Sequence, residues 1–211
     1  MIIGMTGGIG AGKSRVLQIL KDRYKAFVIE ADQVAKDLEM PGQEGWSGLV
    51  KIFGDRILCP DGTLDKNLFS NLIFGDPDAL KKVNALIHPL VWERIRQMSE
   101  TSRADLVVVE AALFDENSRK VCDFLVCVDT DPQIRIERLM KNRGYSREKC
   151  LEIMAKQQDR ESFVQLSDYV IHNNGTLEEV EREVAQMMEK ISASASGHGS
   201  QNGEDGQEGV Q

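Results

Sequence analysis

An eight-residue segment close to the start of the chain, Gly7–Ser14, constrains the fold more than any other feature. It reads GGIGAGKS and matches the pattern G-x-x-x-x-G-K-[ST] at every fixed position, with an apolar run before it and a helix-like run after it. Glycines let the backbone turn tightly and bring its N–H groups close to phosphate oxygens. The following helix directs its positive end at the same oxygens. The segment therefore predicts a site for nucleotide phosphates.

The positions of this loop have separate expected roles. The backbone amides of Gly8–Lys13 are expected to hold the β-phosphate, and Lys13 to supply a mobile positive charge for the β- and γ-phosphates. Ser14 is expected to provide a hydroxyl ligand for Mg²⁺, which is the expected cofactor. The predicted ATP-binding residues of this region are Gly8, Ile9, Gly10, Ala11, Gly12, Lys13, Ser14 and Arg15.

Five apolar runs predict strands, at about residues 2–6, 26–29, 105–110, 124–129 and 168–171. Some of them are apolar almost throughout, which is typical of parallel strands covered on both faces. Helical patterns alternate with these runs, so the expected fold is α/β: a three-layer P-loop NTPase fold with a parallel five-stranded sheet. Asp32 follows the second run. It should face the same crevice as the phosphate loop, because ligands gather at the carboxyl ends of strands in such sheets.

The predicted P-loop domain covers residues 1–191, with a long, mostly helical stretch at about residues 33–101. That stretch is too long for a simple crossover and predicts an inserted substrate-side subdomain. Pro89 should kink the helix that contains it, and His88 is expected to partner a freed carbonyl rather than to be catalytic. A final helix is expected from about residue 176 to residue 191. The polar, Gly- and Ser-rich residues 192–211 predict a disordered tail.

Composition limits the classes of function. The 211-residue chain has a formal net charge of −8, which argues against a nucleic-acid or membrane-surface role, since either calls for a basic face. No apolar run approaches the length of a membrane span, and no signal peptide is expected. The four cysteines have no metal-binding spacing, and a reducing cytoplasm is the expected location. The sequence is compatible with a monomer or a small homo-oligomer.

A P-loop fold hosts kinases, GTPases, motors and passive nucleotide binders, so the fold alone does not decide the function. The chain has no N-K-x-D tetrad for guanine, and a motor usually needs a longer chain. A small-molecule kinase needs an acidic residue near the acceptor hydroxyl. Asp32 can be that base or a Mg²⁺ ligand, although it could equally cap a helix. Arginines Arg138, Arg143 and Arg147 surround a Gly-containing turn and suit a mobile lid at about residues 138–160.

Several separate motifs together resemble the dephospho-CoA kinase family over about residues 2–191. The chain departs from the family pattern at Glu110–Phe114, which reads EAALF where D-x-P-L-L is frequent, and at Lys66, where an arginine is often seen. The segments that match in order and spacing are Thr6–Ser14, Ala31–Ala35, Asp61–Leu64, Leu86–Leu90, Glu116–Asn117, Arg138, Arg147, Gln157, Asp168–Ile171 and Asn174–Gly175.

The resemblance implies a kinase whose partners are ATP and 3′-dephospho-CoA and whose acceptor group is the ribose 3′-hydroxyl. It implies that Asp32 is the catalytic base, with Lys13 and Arg138 as further catalytic residues, and that the helical insertion forms the CoA-side domain. The further binding residues expected are Arg138 and Asn174 for ATP, and Asp32, His88, Glu116 and Arg147 for the acceptor. A kinase of another nucleotide-like acceptor and a non-enzymatic ATP-binding regulator remain alternatives.

Overall fold

The computed structural model describes residues 1–157 and 160–197, and its centre is a sheet of five parallel strands. The strand order is β2-β3-β1-β4-β5, and every neighbouring pair is parallel. This arrangement confirms the predicted sheet. The strands are β1 (Ile2–Thr6), β2 (Phe27–Glu30), β3 (Val107–Glu110), β4 (Phe124–Asp129) and β5 (Tyr169–His172).

Helices cover both faces of the sheet and complete three layers. Alternating side chains of β3 show the division: Val107 and Val109 join the core under the helices that follow β2, whereas Val108 joins the core under the first and last helices. In the described part of the chain, no helix is both long enough and apolar enough to cross a membrane. The helices are α1 (Lys13–Tyr24), α2 (Ala31–Leu38), α3 (Glu44–Phe53), α4 (Lys66–Gly75), α5 (Pro77–Thr101), α6 (Glu116–Val121), α7 (Pro132–Arg143), α8 (Arg147–Ala155), α9 (Arg160–Gln165) and α10 (Leu177–Gly197), with a short 3₁₀ helix at Asp55–Ile57.

The helical stretch expected between the second and third strands consists of α2 to α5, which pack on one another and on one face of the sheet. Its assignment as a substrate-side subdomain stays a prediction. Helix α5 is 25 residues long and continues through Pro89 as a single element. His88 pairs with a carboxylate rather than with a freed carbonyl, since its Nδ1 lies 3.4 Å from Oδ2 of Asp115.

The start of α2 decides one of the roles considered for Asp32. Glu30 occupies the N-cap position, and Asp32 is the second residue of the helix. The interpretation of Asp32 as a helix cap is therefore wrong. Its side chain is exposed, and it has no hydrogen-bond or salt-bridge partner among the described residues. The carboxylate is free to interact with a ligand.

The last helix is longer than its sequence pattern indicated. Helix α10 runs to Gly197, six residues past the predicted end at Ile191. A helix that has already formed can add residues at little cost, and the Ser192 hydroxyl donates back to the Met188 carbonyl at 2.9 Å. The structure therefore describes residues 192–197 as helix, where the sequence pattern predicted disorder. The rest of the predicted tail lies outside the described residues.

Candidate active site

The phosphate loop is supported by the carboxyl ends of β4 and β5. Its Ala11 carbonyl accepts hydrogen bonds from Thr130 Oγ1 at 2.9 Å and from Asn173 Nδ2 at 2.7 Å. Both donors are buried, and each directly follows its strand. Within the loop, the Ala11 amide donates to the Gly8 carbonyl at 3.0 Å. These bonds fix the shape of the loop through contacts inside the protein.

Gly12 is packed closely against this support. Its φ is +90°, a left-handed conformation that favours glycine, and a Cβ built there would overlap the amide nitrogen of Asn173. Gly42 has a similar φ of +84°, but open space surrounds it. Alanine at these two positions therefore separates backbone strain from disruption of the loop's packing.

We expect Gly12→Ala to weaken ATP binding about 10-fold or more, because displacement of Asn173 misaligns the loop and the loss of one charge-assisted hydrogen bond is worth about that factor. It should also reduce the free energy of unfolding more than Gly42→Ala does. Left-handed strain, about 1–2 kcal/mol per residue, is common to both variants. Titration calorimetry with ATP and urea unfolding measure these effects. Equal unfolding losses, together with unchanged ATP affinity in Gly12→Ala, would contradict the packing role.

Part of the loop backbone is engaged by protein atoms, and the expected role of Gly8–Lys13 in binding phosphate stays a prediction. The Ile9 amide donates to Gln157 Oε1 at 2.8 Å, and the Ala11 amide closes the turn. Arg135 binds the other side of Ile9, donating from Nε to its carbonyl at 2.8 Å. Burial lowers the pKa of Arg135. Loop amides that donate to no described atom belong to Gly8, Gly10, Gly12, Lys13 and Ser14.

Lys13 extends from the start of α1 towards the ends of β1 and β3. Its Nζ donates to the Gly7 carbonyl at 2.8 Å and lies 3.3 Å from Oε1 of Glu110. Glu30 and Glu110 are register partners at the ends of β2 and β3, and both line the same cleft as Lys13 and Ser14. Within residues 1–157 and 160–197, no three His, Cys, Asp or Glu side chains cluster as a metal site. A cation here would take few ligands from the protein.

Basic side chains of α7 line the same cleft as these carboxylates. Arg138 donates from Nη2 to the Asn173 carbonyl at 2.9 Å, and Lys141 and Arg143 line the cleft beyond it. Burial, and to a smaller extent the nearby charge of Arg15, lowers the pKa of Arg138. Neither Arg15 nor Arg138 has a carboxylate partner in the described part of the chain. Two neighbouring guanidinium groups that lack a carboxylate partner favour the binding of an anion.

Two adjoining cavities open at this edge of the sheet. The larger has a volume of about 950 Å³ and lies between the phosphate loop and α7. The smaller, about 310 Å³, lies between α2 and α5, with residues 111–115 along one side. Asp32 and Ala112 line both cavities. Asp32 therefore lies where a phosphate-binding cleft meets a second, mostly apolar pocket.

Most of the predicted site residues line these cavities. His88 lines the smaller pocket, where Asp115 is its neighbour. Asp32, as described, lines both. Of the residues predicted to bind ATP, the larger cleft contains Gly8, Ile9, Gly10, Gly12, Lys13, Ser14, Arg15 and Arg138.

Four predicted residues line neither cavity. Asn174 accepts a hydrogen bond from the backbone amide of Asp131 at 2.8 Å, while Asn173 lines the cleft instead. Arg147 donates to a glutamine side chain of α7 at 3.1 Å, and Arg143 faces the cleft in its place. Glu116 is exposed in the first turn of α6. The four residues are Ala11, Asn174, Glu116 and Arg147.

Three residues that hold the loop, Thr130, Arg135 and Asn173, were not predicted as site residues, and Gln157 had no assigned role. Only a weak signal in the sequence could have located them. Thr130 and Asn173 each follow an apolar run, at the strand ends where ligands gather. Arg135 precedes Arg138 by one helical turn and so shares its face of α7.

Comparisons with known proteins show what the whole chain is similar to. A family model described as dephospho-CoA kinase matches residues 1–179. A protein named dephospho-CoA kinase from Streptomyces avermitilis is 38% identical over 187 residues, which cover 88% of this chain and 91% of the relative. Among solved structures, TT1252 from Thermus thermophilus has a TM-score of 0.74 at 28% identity, covering 90% of this chain and 97% of that one. The dephospho-CoA kinase from Campylobacter jejuni has a TM-score of 0.64 at 22% identity, covering 92% and 98%, a likeness in fold.

Proposed function

Because the chain belongs to the dephospho-CoA kinase family, we propose that its site transfers the γ-phosphate of ATP to the ribose 3′-hydroxyl of 3′-dephospho-CoA. The products are CoA and ADP, and the reaction is the last step of coenzyme A biosynthesis. The position of Asp32 at the junction of the two cavities is the observation that supports this proposal best. A carboxylate there can take the proton that the acceptor hydroxyl loses.

ATP would bind in the larger cleft with its phosphates against the free amides of the loop. The amides of Gly10, Gly12 and Lys13 would donate to the β-phosphate, at the positive end of α1. Lys13 would exchange its contact with Glu110 for the phosphates, since a dianionic oxygen cluster attracts the ammonium more strongly than one carboxylate does. Arg138 would neutralise charge on the transferring group from the other side of the cleft.

The oxygen donors in the cleft fit Mg²⁺, which prefers oxygen ligands and usually binds through one or two protein groups plus phosphate. Ser14 would hold the ion through its hydroxyl. Once Lys13 turns to the phosphates, Glu110 becomes available as a second ligand, directly or through water. When bound, Mg²⁺ supplies positive charge that offsets the negative charge of the transferring phosphoryl group.

In the proposed reaction, the 3′-oxygen forms a bond to the γ-phosphorus while the bond from that phosphorus to the β,γ-bridging oxygen breaks. The proton of the hydroxyl passes to the Asp32 carboxylate. Most of the reduction in the barrier should come from positioning and electrostatic stabilisation, because the base itself contributes about 10²–10⁴-fold. The rigid support of the loop by Thr130 and Asn173 serves this positioning.

A coupled assay of ADP release across several acceptors tests the proposed function. With ATP and Mg²⁺, 3′-dephospho-CoA should give ADP at a rate well above the rate without acceptor. CoA is the matched control, since its 3′-hydroxyl is already phosphorylated and it should give none. Faster turnover of a different acceptor, such as AMP, would contradict the proposal. ATP binding without acceptor-dependent ADP release would identify a nucleotide-binding regulator instead.

We also propose that the reaction takes place in the cytoplasm. The four cysteines are free thiols, and three of them are buried in the protein. Burial raises the pKa of the Cys122 thiol to about 12 and that of Cys127 to about 11, so both remain protonated small apolar groups at neutral pH. Thiols of this kind are compatible with a reducing compartment.

A further inference from the structure

The smaller pocket, called the slot below, lies between the helices α2 and α5. Its outer wall is apolar and comes from one face of α5, where Val83, Ile87 and Val91 recur at helical spacing and are buried. Small side chains form the opposite wall and leave the slot open: Ala31 and Ala35 on α2, and Ala111 and Ala112 after β3. A mostly apolar slot of about 310 Å³ has room for an aromatic ring.

One side chain in this slot, that of Glu39, has no partner in the described part of the chain. Glu39 follows α2 as its C-cap residue and is half-buried, and its side chain makes no hydrogen bond or salt bridge in that part of the chain. Burial raises its pKa, against smaller opposing effects of Lys66 and Lys36. A carboxylate removed from water without a donor is destabilising. The Glu39 side chain is therefore available to accept a hydrogen bond from a ligand in this pocket.

Asp32 and Glu39 define the length of the slot. Asp32, Ala35 and Glu39 occupy positions i, i+3 and i+7 along α2, so they lie on one face of that helix. A rise of 1.5 Å per residue separates the two acidic residues by about 10 Å along the axis. The two acidic residues therefore lie about two helical turns apart along the slot.

We propose that this slot binds the adenosine part of the acceptor, with the ribose against Asp32 and the adenine 6-amino group donating a hydrogen bond to Glu39. The inference rests on the proposed function, which requires the 3′-hydroxyl to reach Asp32. The ribose and its base are then the parts of the acceptor closest to the slot. The two apolar walls contact the faces of the base, and Glu39 reads its amino edge.

The charge of the slot excludes the other parts of the acceptor from it. Asp32, Glu39 and Asp115 are acidic, and His88, which pairs with Asp115, is the basic side chain lining the slot in the described structure. The diphosphate of the acceptor is repelled by these carboxylates, so it and the attached pantetheine arm stay outside. Leu113, which is 53% exposed at this pocket, offers an apolar surface for the arm.

Steady-state kinetics with two acceptors test the inference: 3′-dephospho-CoA and its analogue with a 6-oxo group in place of the 6-amino group. The wild-type enzyme should prefer the amino acceptor in kcat/KM by about 10- to 100-fold, the value of one hydrogen bond to a charged group. Glu39→Gln should lose about 10-fold on the amino acceptor, mainly through KM. It should gain on the 6-oxo acceptor, because the glutamine amide can donate to the oxo group.

Asp37→Asn is the matched control, because Asp37 is exposed on α2 and lines neither cavity. It should retain the wild-type preference. Wild-type preference in Glu39→Gln, or an equal loss on both acceptors, would overturn the adenosine subsite while leaving the proposed function intact. Failure of the wild-type enzyme to phosphorylate 3′-dephospho-CoA would overturn the proposed function, and the subsite with it. A wild-type ATP affinity in Glu39→Gln verifies that the variant is folded.

Discussion

Asp32→Asn is expected to lower kcat by about 10²–10⁴-fold while leaving the dissociation constant for ATP unchanged. Asparagine keeps the size of the side chain but cannot accept the proton of the acceptor hydroxyl, and a positioned base is worth about this factor. The side chain is exposed and unpartnered among the described residues, so its replacement breaks no internal contact. The loss of a negative charge in the first turn of α2 should cost only about 0.3–1 kcal/mol of stability.

Rapid-quench measurement of a single turnover separates the chemical step from product release in this variant. The Asp37→Asn variant, which changes an exposed carboxylate on the same helix, should keep wild-type rates. A wild-type rate of phosphoryl transfer in Asp32→Asn would exclude Asp32 as the base. A weakened ATP affinity with an unchanged chemical rate would instead make Asp32 a residue of the nucleotide site.

Lys13→Ala is expected to lower kcat by about 10²–10³-fold and also to weaken ATP binding. The ammonium group is a preorganised positive charge beside the loop, and removal of one such group from the site of a developing charge typically costs this factor. The variant also leaves Glu110 without its cation, so a carboxylate would face the phosphates unopposed. Both effects act on the bound nucleotide, which distinguishes this variant from Asp32→Asn.

ATP titration and steady-state kinetics measure these losses. Lys21→Ala is the control, because Lys21 is exposed in the last turn of the same helix and lines neither cavity. In ATP titrations without Mg²⁺, a double variant, Lys13→Ala with Glu110→Gln, should recover part of the ATP affinity by removing the unopposed carboxylate. Normal ATP affinity and turnover in Lys13→Ala would contradict the interpretation of the loop as a phosphate site.

The fold was largely predictable, because its determinants are local in the sequence. The apolar run before Gly7 and the helix-like run after the loop specify the first strand, the loop and α1, which begins at Lys13 and ends at Tyr24. Helix ends were harder to predict. The predicted end of α10 relied on a change to small polar residues, but alanine and serine can extend an existing helix without burial.

The phosphate loop was predictable for the same reason, but the contacts that support it were not. Thr130, Asn173 and Gln157 reach the loop from positions 119 to 162 residues away in the sequence. Such contacts depend on the order of strands in the sheet, which places β4 next to β1 and β5 beyond it. A pattern of apolar residues specifies that strands exist, whereas their order follows from packing of the whole chain.

The lid arginines show the limit of reasoning from charge clusters. Arg138, Arg143 and Arg147 all surround one turn, but a helical turn points successive side chains in different directions. Arg138 and Arg143 line the cleft, whereas Arg147 begins a new helix, α8, and bonds to a glutamine of α7. Proximity in sequence therefore indicated the right region without identifying the residues that face the nucleotide.

The segment after β3 departs from the family pattern, and the structure gives that departure a physical consequence. Glu110 ends the strand and pairs with Lys13. Ala111 and Ala112 then follow, and Ala112 lies between the two cavities. The small side chains of Ala111 and Ala112 leave open the smaller cavity, which larger side chains would fill. The sequence alone did not reveal this, because the slot requires α2 and α5 to lie beside the segment.

The position of the transferred phosphate in the product tests the central claim most directly. We expect ³¹P NMR of the reaction of ATP with 3′-dephospho-CoA to show one new phosphomonoester, and two-dimensional ¹H–³¹P correlation to couple it to the ribose H3′. That result requires the acceptor's 3′-hydroxyl to lie between Asp32 and the γ-phosphate. A monoester coupled to H2′ or to a proton of the pantetheine arm would contradict the account, because it would place another hydroxyl at the junction of the two cavities.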